Sequence, residues 1–385
     1  MIPYGRQEIT ADDIQAVKSV LESDYLTQGP SVPAFEGKVS DYCGASHAVA
    51  VNSATSALHI ACMALGLGRG DILWTSPVTF VASANCALYC GAAVDFVDID
   101  PDTYNLSAYH LEEKLKKAKK AGKLPKIVVP VHLCGQPCDM KRIRDLSREY
   151  GFRIIEDASH AIGAKYQGEP VGNCRYSDIT VFSFHPVKII TTGEGGMALT
   201  NDAKLGEKMG LLRSHGITRD PALMTHEPDG PWYYQQIDLG YNYRMTDIQA
   251  ALGSSQMERL DAYIECRHSI AKQYQSELKS LPLTFQAQSS DAYSAYHLFV
   301  IQLKLEDIKS THRDVFDALR SKGIGVNLHY IPVHTQPYYR SMGFSEGLFP
   351  EAENYYSRSI SLPMYAGLKQ EGFQQIVDCL KETIW

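Results

Sequence analysis

The sequence lacks the features that would mark a membrane, exported or nucleic-acid-binding protein. No uninterrupted apolar run of about 18 residues occurs, so no membrane span is expected. The opening MIPYGRQEIT has no apolar leader core, and we therefore expect a cytoplasmic protein. Basic residues are not in excess, because 37 Lys and Arg stand against 44 Asp and Glu, a formal net charge of −7. That balance disfavours a nucleic-acid partner.

The sequence also lacks the motifs typical of disulfide frameworks, metal sites and nicotinamide-binding sites. The nine cysteines are scattered and contain no Cys-x-x-Cys pair, which disfavours both a disulfide framework and a metal site. We expect free thiols in a reducing compartment. None of the predicted strand–helix junctions carries Gly-x-Gly-x-x-Gly, so the sequence also disfavours a nicotinamide enzyme.

What the sequence does contain is an alternation of short apolar segments with helical patterns. The apolar segments are HAVAV, ILWTS, KIVVPV, FRIIED, DITVFSF and GMALTN. The alternation predicts βα units in a mostly parallel sheet, and strands this apolar suit a sheet covered on both faces. From about Gly253 a long helical stretch leads into HLFVIQL and further helices. We therefore predict an α/β protein with a large domain over residues 1–255 and a smaller α+β domain over residues 256–385.

Residues that follow the predicted strands are the first candidates for a functional site, because ligands of open α/β sheets bind beyond the carboxyl ends of the strands. FRIIED ends in Asp157 and continues to His160. DITVFSF leads through Ser183 to Lys188. HAVAV runs into residues 52–56, at the start of a predicted helix.

These residue types suit pyridoxal phosphate (PLP). A desolvated lysine such as Lys188 can lose its proton and bind an aldehyde. A carboxylate such as Asp157 can keep a pyridine nitrogen protonated. A helix N-terminus at residues 54–56, with the Ser183 hydroxyl, can bind a phosphate.

Each of these residues also has a plainer interpretation by itself. A lysine after a strand is usually solvated, an aspartate at such a junction commonly caps a helix, and His160 could be an ordinary core histidine. Only the combination, in this order along the chain, argues for the cofactor.

The chain resembles the DegT/StrS-type family of sugar aminotransferases over nearly its whole length. The resemblance implies fold type I of the PLP enzymes, which is the aspartate-aminotransferase-like fold, and transaminase activity. NSATSAL, EDASHA, FSFHPVKIITT and LRSHGITRDPALM further resemble the branch of the family that acts in pseudaminic acid biosynthesis. The stretches that carry the family resemblance are SDYLTQGP, VNSATSALH, SPVTFVASAN, IIEDASHAIGA, FSFHPVKIITTGEGGM, LRSHGI, GYNYRMTDIQAALG and SLPMY.

The resemblance assigns a role to each cofactor residue. Lys188 would hold PLP covalently and move protons during the reaction, and Asp157 would pair with the pyridine nitrogen. Asn242, by itself a turn residue, would reach the phosphate bound by a partner subunit, which implies a homodimer with shared active sites. The remaining cofactor contacts implied are Ala54, Thr55 and Ser183 at the phosphate, Phe80 on the ring face and His160 near the phenolic oxygen.

The resemblance also implies a reaction. L-Glutamate would donate the amino group and leave as 2-oxoglutarate. The acceptor would be C4 of a UDP-linked 4-keto-6-deoxy-N-acetylhexosamine, UDP-2-acetamido-2,6-dideoxy-beta-L-arabino-hex-4-ulose, or else another nucleotide-linked 3- or 4-keto sugar. The residues that would bind the sugar nucleotide are Tyr4, Asp24, Tyr25, Leu26, Thr27, Leu328, His329, Tyr330 and Ile331.

Some alternatives remain at this stage. His329 and Tyr330, beside Pro332, could equally be packing residues. A PLP-dependent sugar dehydratase shares the expected fold but has a histidine in place of the lysine, so Lys188 disfavours it. A non-enzymatic regulator would need a DNA-binding extension, for which we expect no room before the first helix.

Overall fold

The computed structural model describes residues 1–384, and Trp385, at which the predicted second domain ends, lies outside the described residues. The α-helices of the described part are α1 (Ala11–Leu21), α2 (Ser31–Cys43), α3 (Ala54–Ala64), α4 (Ala82–Tyr89), α5 (Ala108–Ala121), α6 (Met140–Tyr150), α7 (Ala203–Leu212), α8 (Asp247–Met257), α9 (Leu260–Glu277), α10 (His312–Ser321), α11 (Pro337–Arg340), α12 (Pro350–Arg358) and α13 (Gln370–Ile384).

The strands are β1 (His47–Val51), β2 (Ile72–Thr75), β3 (Ala93–Phe96), β4 (Ile127–Val129), β5 (Arg153–Asp157), β6 (Lys165–Tyr166), β7 (Glu169–Pro170), β8 (Ile179–Ser183), β9 (Gly196–Thr200), β10 (Ile217–Thr218), β11 (Gln235–Gln236), β12 (Leu283–Phe285), β13 (Ala292–Tyr293), β14 (Phe299–Leu303) and β15 (Ser359–Leu362). Short 3-10 helices cover Leu133–Gly135, Pro221–Leu223, Leu305–Asp307 and Val333–Thr335.

A seven-stranded sheet with the order β1-β9-β8-β5-β4-β2-β3 organises the first half of the chain. Strands β3, β2, β4, β5 and β8 pair in parallel, whereas β9 pairs antiparallel with both β8 and β1. The prediction of a mostly parallel sheet is confirmed, and each of the six apolar segments contributes a strand to it. The carboxyl ends of β1, β2, β5 and β8 therefore lie at one edge of the sheet.

Both faces of this sheet are buried, which explains why its strands are so uniformly apolar. Successive side chains of a strand point to opposite faces. Leu73 accordingly packs in a cluster with Ile60 of α3, while its neighbour Trp74 packs with Leu111 of α5. Helices cover both faces of the sheet, and its carboxyl edge is left open for a site.

The long helix expected after Gly253 is in fact two helices. α8 begins at Asp247 behind an N-cap at Thr246, and the helical path breaks at Arg259, whose φ is −114° and ψ is 4°. At the break, the Arg259 guanidinium donates at 2.7 Å to the Asp13 carboxylate of α1. The long helical stretch predicted from the sequence is therefore interrupted at Arg259, where this part-buried ion pair holds the turn between the two helices.

The last third of the described chain forms a second core around the antiparallel sheet β12-β14-β15. Tyr274 of α9, Ile301 of β14 and Leu380 of α13 are fully buried in it. The amino terminus joins this part, because the Ile2 N–H donates to the Gly323 carbonyl at 2.8 Å. The proposed boundary at residues 255 and 256 falls inside α8 and stays a prediction.

Within residues 1–384, no helix is both long enough and apolar enough to span a bilayer. No group of three or more His, Cys, Asp or Glu residues in this range is arranged to hold a metal ion. The cysteines are free thiols, and most of them are buried.

Candidate active site

A cavity of about 950 Å³ opens at the carboxyl edge of the large sheet. Its wall consists mainly of residues that follow β1, β2, β5 and β8, together with residues 327–330 of the last third of the chain. Most of the predicted site residues meet in this wall. They are Tyr4, Ala54, Thr55, Phe80, Asp157, His160, Ser183, Lys188, Leu328, His329 and Tyr330.

Lys188 is half-buried in the wall, five residues after the end of β8. Its burial lowers the pKa of the ammonium to about 8, and the nearby charge of Asp157 opposes that shift. At pH 7 about a tenth of such lysines carry a free amine. This amine is therefore available both as a nucleophile and as a proton carrier.

Asp157 ends β5, which pairs with β8 next to it in the sheet. Only 4% of its surface is exposed. Its Oδ2 accepts a hydrogen bond from the Ser83 hydroxyl at 2.6 Å, and its Oδ1 accepts one from the Ser159 N–H at 3.1 Å. No helix of the described chain begins at this point, so Asp157 is not a helix cap. Its carboxylate instead lines the cavity.

The N-terminus of α3 forms an anion-binding cradle at the same edge. The Ser53 side chain caps the helix by accepting from the Ser56 N–H at 3.1 Å. Helix geometry leaves the N–H groups of Ala54 and Thr55 without intrahelical acceptors, and both residues line the cavity. Gly196 of β9 allows this arrangement, because a Cβ there would lie 2.4 Å from the Ala54 nitrogen.

Histidines and a tyrosine form an uncharged wall near Lys188. The Tyr330 hydroxyl lies 3.0 Å from His160 Nε2, and the His297 ring centre lies 4.4 Å from that of His160. Burial holds the pKa of His160 and of His297 well below the usual range, and lowers the pKa of His329 to about 3. Burial also raises the pKa of Tyr330. All four side chains are therefore neutral at pH 7.

Two atoms of this wall lack partners. Within the described part of the chain, neither His160 Nδ1 nor His297 Nδ1 has a hydrogen-bond partner, although both are buried. Buried polar atoms are usually paired. Since His160 also lines the cavity, its Nδ1 is available to a ligand bound there.

Phe80 is an exposed aromatic ring in a largely buried cavity. It follows β2 and is 58% exposed, with its ring centre 6.2 Å from that of Tyr330. An open aromatic face of this kind can stack on a planar ligand.

Some predicted residues lie outside the wall within one chain. Asn242 is at its margin, where its carbonyl accepts from the Asn52 side chain at 3.4 Å, and Asn52 does line the cavity. Residues 24–26 are exposed between α1 and α2, and Thr27 pairs with Thr246. Ile331 is 46% exposed and does not line the cavity. The roles of these residues remain proposals.

The structure also brings in residues that the sequence did not single out. Thr79 and Ser83 lie on either side of Phe80, at helical spacing, and His297 precedes the apolar run of β14. The sequence could have indicated these three residues only by the helical spacing of Thr79 and Ser83 and by the position of His297 before an apolar run. Both features are common among residues of ordinary protein cores. The further residues of this kind are Glu194, Gln249 and Asn327. Four more lining residues lie in the strand-end segments that the sequence indicated, but had no role assigned: Asn52, Ser53, Ser159 and His185.

The residues present fit PLP. The cradle at α3 suits a phosphate, Phe80 suits a planar ring, and Asp157 suits a protonated ring nitrogen. The lowered pKa of Lys188 suits covalent attachment of an aldehyde. The pocket is also large enough for a second ligand beside the cofactor.

Comparison with known proteins agrees with this chemistry. The model of the DegT/DnrJ/EryC1/StrS aminotransferase family matches residues 7–381. The spore coat polysaccharide biosynthesis protein SpsC of Bacillus subtilis is 38% identical over 386 residues, covering 100% of this chain and 97% of that protein. The UDP-4-amino-4,6-dideoxy-N-acetyl-beta-L-altrosamine transaminase of Campylobacter jejuni is 36% identical over 382 residues, covering 99% and 96%.

Solved structures resemble the whole chain. Helicobacter pylori PseC, an aminotransferase involved in the biosynthesis of pseudoaminic acid, has a TM-score of 0.91 at 31% identity, covering 100% of this chain and 99% of that one. Spr1654 of Streptococcus pneumoniae has a TM-score of 0.89 at 29% identity in its PMP-form, covering 100% and 99%. Its PLP-form has a TM-score of 0.87 at 28% identity, covering 99% and 98%.

Proposed function

Because the chain belongs to the DegT/DnrJ/EryC1/StrS aminotransferase family, we propose that it transfers an amino group from L-glutamate to C4 of a UDP-linked 4-keto-6-deoxy-N-acetylhexosamine. The family and its solved members make the chain a PLP-dependent sugar aminotransferase of the expected aspartate-aminotransferase-like fold. The proposed acceptor is UDP-2-acetamido-2,6-dideoxy-beta-L-arabino-hex-4-ulose, in pseudaminic acid biosynthesis. The names of the Campylobacter and Helicobacter relatives support this choice.

The observation that carries the proposed chemistry is the placement of Lys188 beside Asp157 in one cavity. PLP supplies an electron sink when it is bound. Lys188 Nζ would hold the cofactor, and would then move a proton to and from the reacting carbons as a positioned base and acid. Asp157 would keep the ring nitrogen protonated.

The other predicted cofactor residues would bind and orient. The N–H groups of Ala54 and Thr55, with the Ser183 hydroxyl, would hold the phosphate. Phe80 would stack on one ring face. His160, held by the Tyr330 hydroxyl through Nε2, would present its free Nδ1 as a neutral hydrogen-bonding group.

The uncharged wall suits an uncharged sugar ring. Among the lining residues of the described chain, Lys188 is the only Lys or Arg, and Asp157 and Glu194 are the only acidic residues. Tyr4, Leu328, His329 and Tyr330 offer apolar surface and neutral polar atoms to the sugar. This wall would exclude water from the sugar carbonyl while the amino group is transferred.

We also propose that the active sites are shared between two chains. Asn242, residues 24–27 and Ile331 do not line the cavity of one chain, although the family resemblance implies that they contact the ligands. Asn242 and the exposed residues 24–27 and Ile331 would then complete the site at a homodimer interface. We propose the cytoplasm as the compartment, because the free thiols suit a reducing environment.

A substrate panel tests the proposed reaction. The PLP-loaded protein is incubated with L-glutamate and a series of UDP-linked 4-keto and 3-keto sugars, and both 2-oxoglutarate and amino sugar are quantified. We expect equal amounts of the two products with the 4-keto-6-deoxy-N-acetylhexosamine, and none with the Lys188→Ala variant. Turnover only with a 3-keto sugar, or with a 4-keto sugar of another series, would reject the proposed acceptor.

A further inference from the structure

A chain of buried hydroxyl groups leads to the Asp157 carboxylate. The Thr79 hydroxyl lies 2.7 Å from the Ser83 hydroxyl, which lies 2.6 Å from Asp157 Oδ2. Thr79 is 2% exposed, Ser83 is 1% exposed and Asp157 is 4% exposed. Such short hydrogen bonds away from water are stronger than their exposed equivalents.

The direction of each hydrogen bond follows from the donor capacity of the groups. A carboxylate only accepts, so the Ser83 hydroxyl must donate its one proton to Asp157. Ser83 Oγ can then only accept from Thr79, so the Thr79 hydroxyl is the donor of that pair. Both hydroxyl dipoles therefore point toward the carboxylate.

The hydrogen bonds from Thr79 through Ser83 to Asp157 also join two parts of the cofactor site. Thr79 and Ser83 flank Phe80 at the start of α4, whereas Asp157 ends β5, and β4 lies between β2 and β5 in the sheet. The Ser159 N–H holds the other oxygen of Asp157. With one donor on each oxygen, the carboxylate plane is fixed relative to the segment that carries Phe80.

We propose that Ser83 is a positioning residue, which orients the Asp157 carboxylate toward the ring nitrogen of PLP and holds the Phe80 segment in register with it. The proposal rests on the proposed role of Asp157. Thr79 orients Ser83 in turn. Neither hydroxyl needs to touch the cofactor to act in this way.

The test compares Ser83→Ala and Thr79→Val with a matched control, Thr75→Val. Thr75 lies in β2 and is fully buried. Its hydroxyl donates a hydrogen bond to the Val129 carbonyl at 2.8 Å and takes no part in the hydrogen bonds that lead to Asp157. Three quantities are measured: the visible circular dichroism of the bound cofactor, the PLP dissociation constant, and kcat against KM for the amino acceptor.

Losing a hydrogen bond to a charged group should lower kcat of Ser83→Ala by about 10- to 100-fold. We expect KM for the acceptor to stay close to the wild-type value, and the circular dichroism band to change as the ring loses its fixed orientation. Thr79→Val should move the same quantities in the same direction by less, about 2- to 10-fold in kcat. Thr75→Val should leave all three unchanged.

Wild-type kcat and circular dichroism in Ser83→Ala would overturn the proposal, and so would equal losses in Thr75→Val. If Ser83→Ala does not fold, Thr79→Val takes its place. A lowered kcat with a changed circular dichroism band then supports the proposal, and wild-type values overturn it. Asp157→Asn separates this inference from the proposed function. A functional Asp157→Asn variant would reject the role of Asp157 itself, whereas a defective one with normal Ser83→Ala rejects only the positioning role of Ser83.

Discussion

At the scale of single residues, burial determines the chemistry of the pocket. It lowers the pKa of Lys188 to about 8, and it keeps His160 and His297 uncharged by lowering their pKa values well below the usual range. The pocket therefore combines one reactive amine with neutral hydrogen-bonding groups. Asp157 is the buried carboxylate that opposes the loss of charge at Lys188.

This combination predicts a pH dependence for attachment of PLP to the cofactor-free protein. Only the deprotonated Lys188 amine reacts, so the attachment rate should rise with pH up to about 8 and then level off. Stopped-flow absorbance measures this rate directly. A rate that continues to rise toward about pH 10.4, the value of an ordinary lysine, would mean that the amine is not desolvated in solution.

Asp157 provides a second prediction at this scale. Asp157→Asn keeps the shape of the side chain but removes the charge that holds the ring nitrogen protonated. The rate of amino transfer should fall by at least ~10²-fold, the scale of a lost electrostatic contact in an active site. Steady-state turnover near the wild-type value would contradict that role and leave Asp157 as a structural residue.

The sequence predicted most of the pocket because residues directly after strands of a parallel sheet must converge at one edge. Asp157, Ser183 and Lys188 were predicted in this way, whereas Phe80 was implied only by the family resemblance. Ser83 could not be predicted, because a serine in the first turn of a helix is common and its partner lies 74 residues away in the sequence. Residues 24–27 do not line the cavity of one chain, and Thr27 pairs instead with Thr246, which is distant in the sequence.

At the scale of elements, the approach of β9 to the N-terminus of α3 builds the phosphate cradle. A Cβ at Gly196 would lie 2.4 Å from the Ala54 nitrogen, so Gly196→Ala must push strand and helix apart. We expect this variant to bind PLP at least ~10-fold more weakly, because the loss of an anion-binding contact of this kind costs on the order of 1.4 kcal/mol or more. Isothermal titration of the cofactor-free protein measures the affinity.

Gly210→Ala is the matched control for that experiment. Gly210 lies in α7, and a Cβ there has nothing within 4 Å. This variant should bind PLP as the wild type does and should be slightly more stable, since alanine favours a helix. Equal PLP affinity in both variants would show that the close approach at Gly196 does not shape the cradle.

Periodicity and capping signals located many elements well. Thr10, ahead of an acidic first turn, caps α1 through a capping box with Asp13, and such a cap can be recognised in a sequence. The edge strand β3 was not predicted, because AVDF is short and contains a charge. The break at Arg259 was not predicted either, since it depends on an ion pair with Asp13, which is 246 residues away.

At the scale of the whole molecule, the proposed dimer predicts complementation between two defective chains. Lys188→Ala and Asn242→Ala chains are mixed and allowed to exchange subunits. In the heterodimer, one site carries both lesions and the other carries neither, because an isologous interface makes the sharing reciprocal. Activity should rise above that of either parent protein.

The complementation experiment needs two controls. Asn242→Ala must be impaired alone, and exchange must be demonstrated with distinguishable tags. If both conditions hold and activity does not rise, Asn242 acts within its own chain, where its carbonyl already accepts from Asn52. The fold of one chain could be inferred from sequence patterns, but a contact across subunits leaves no periodicity to detect.

The most direct test of the account is to locate the covalent bond between PLP and the protein. The PLP-loaded enzyme is reduced with borohydride, digested and analysed by mass spectrometry, with Lys188→Ala as the control. The account predicts one modified peptide, carrying the adduct on Lys188, and none in the control. An adduct on any other lysine, with Lys188 unmodified, would contradict the assignment of this cavity as the transamination site.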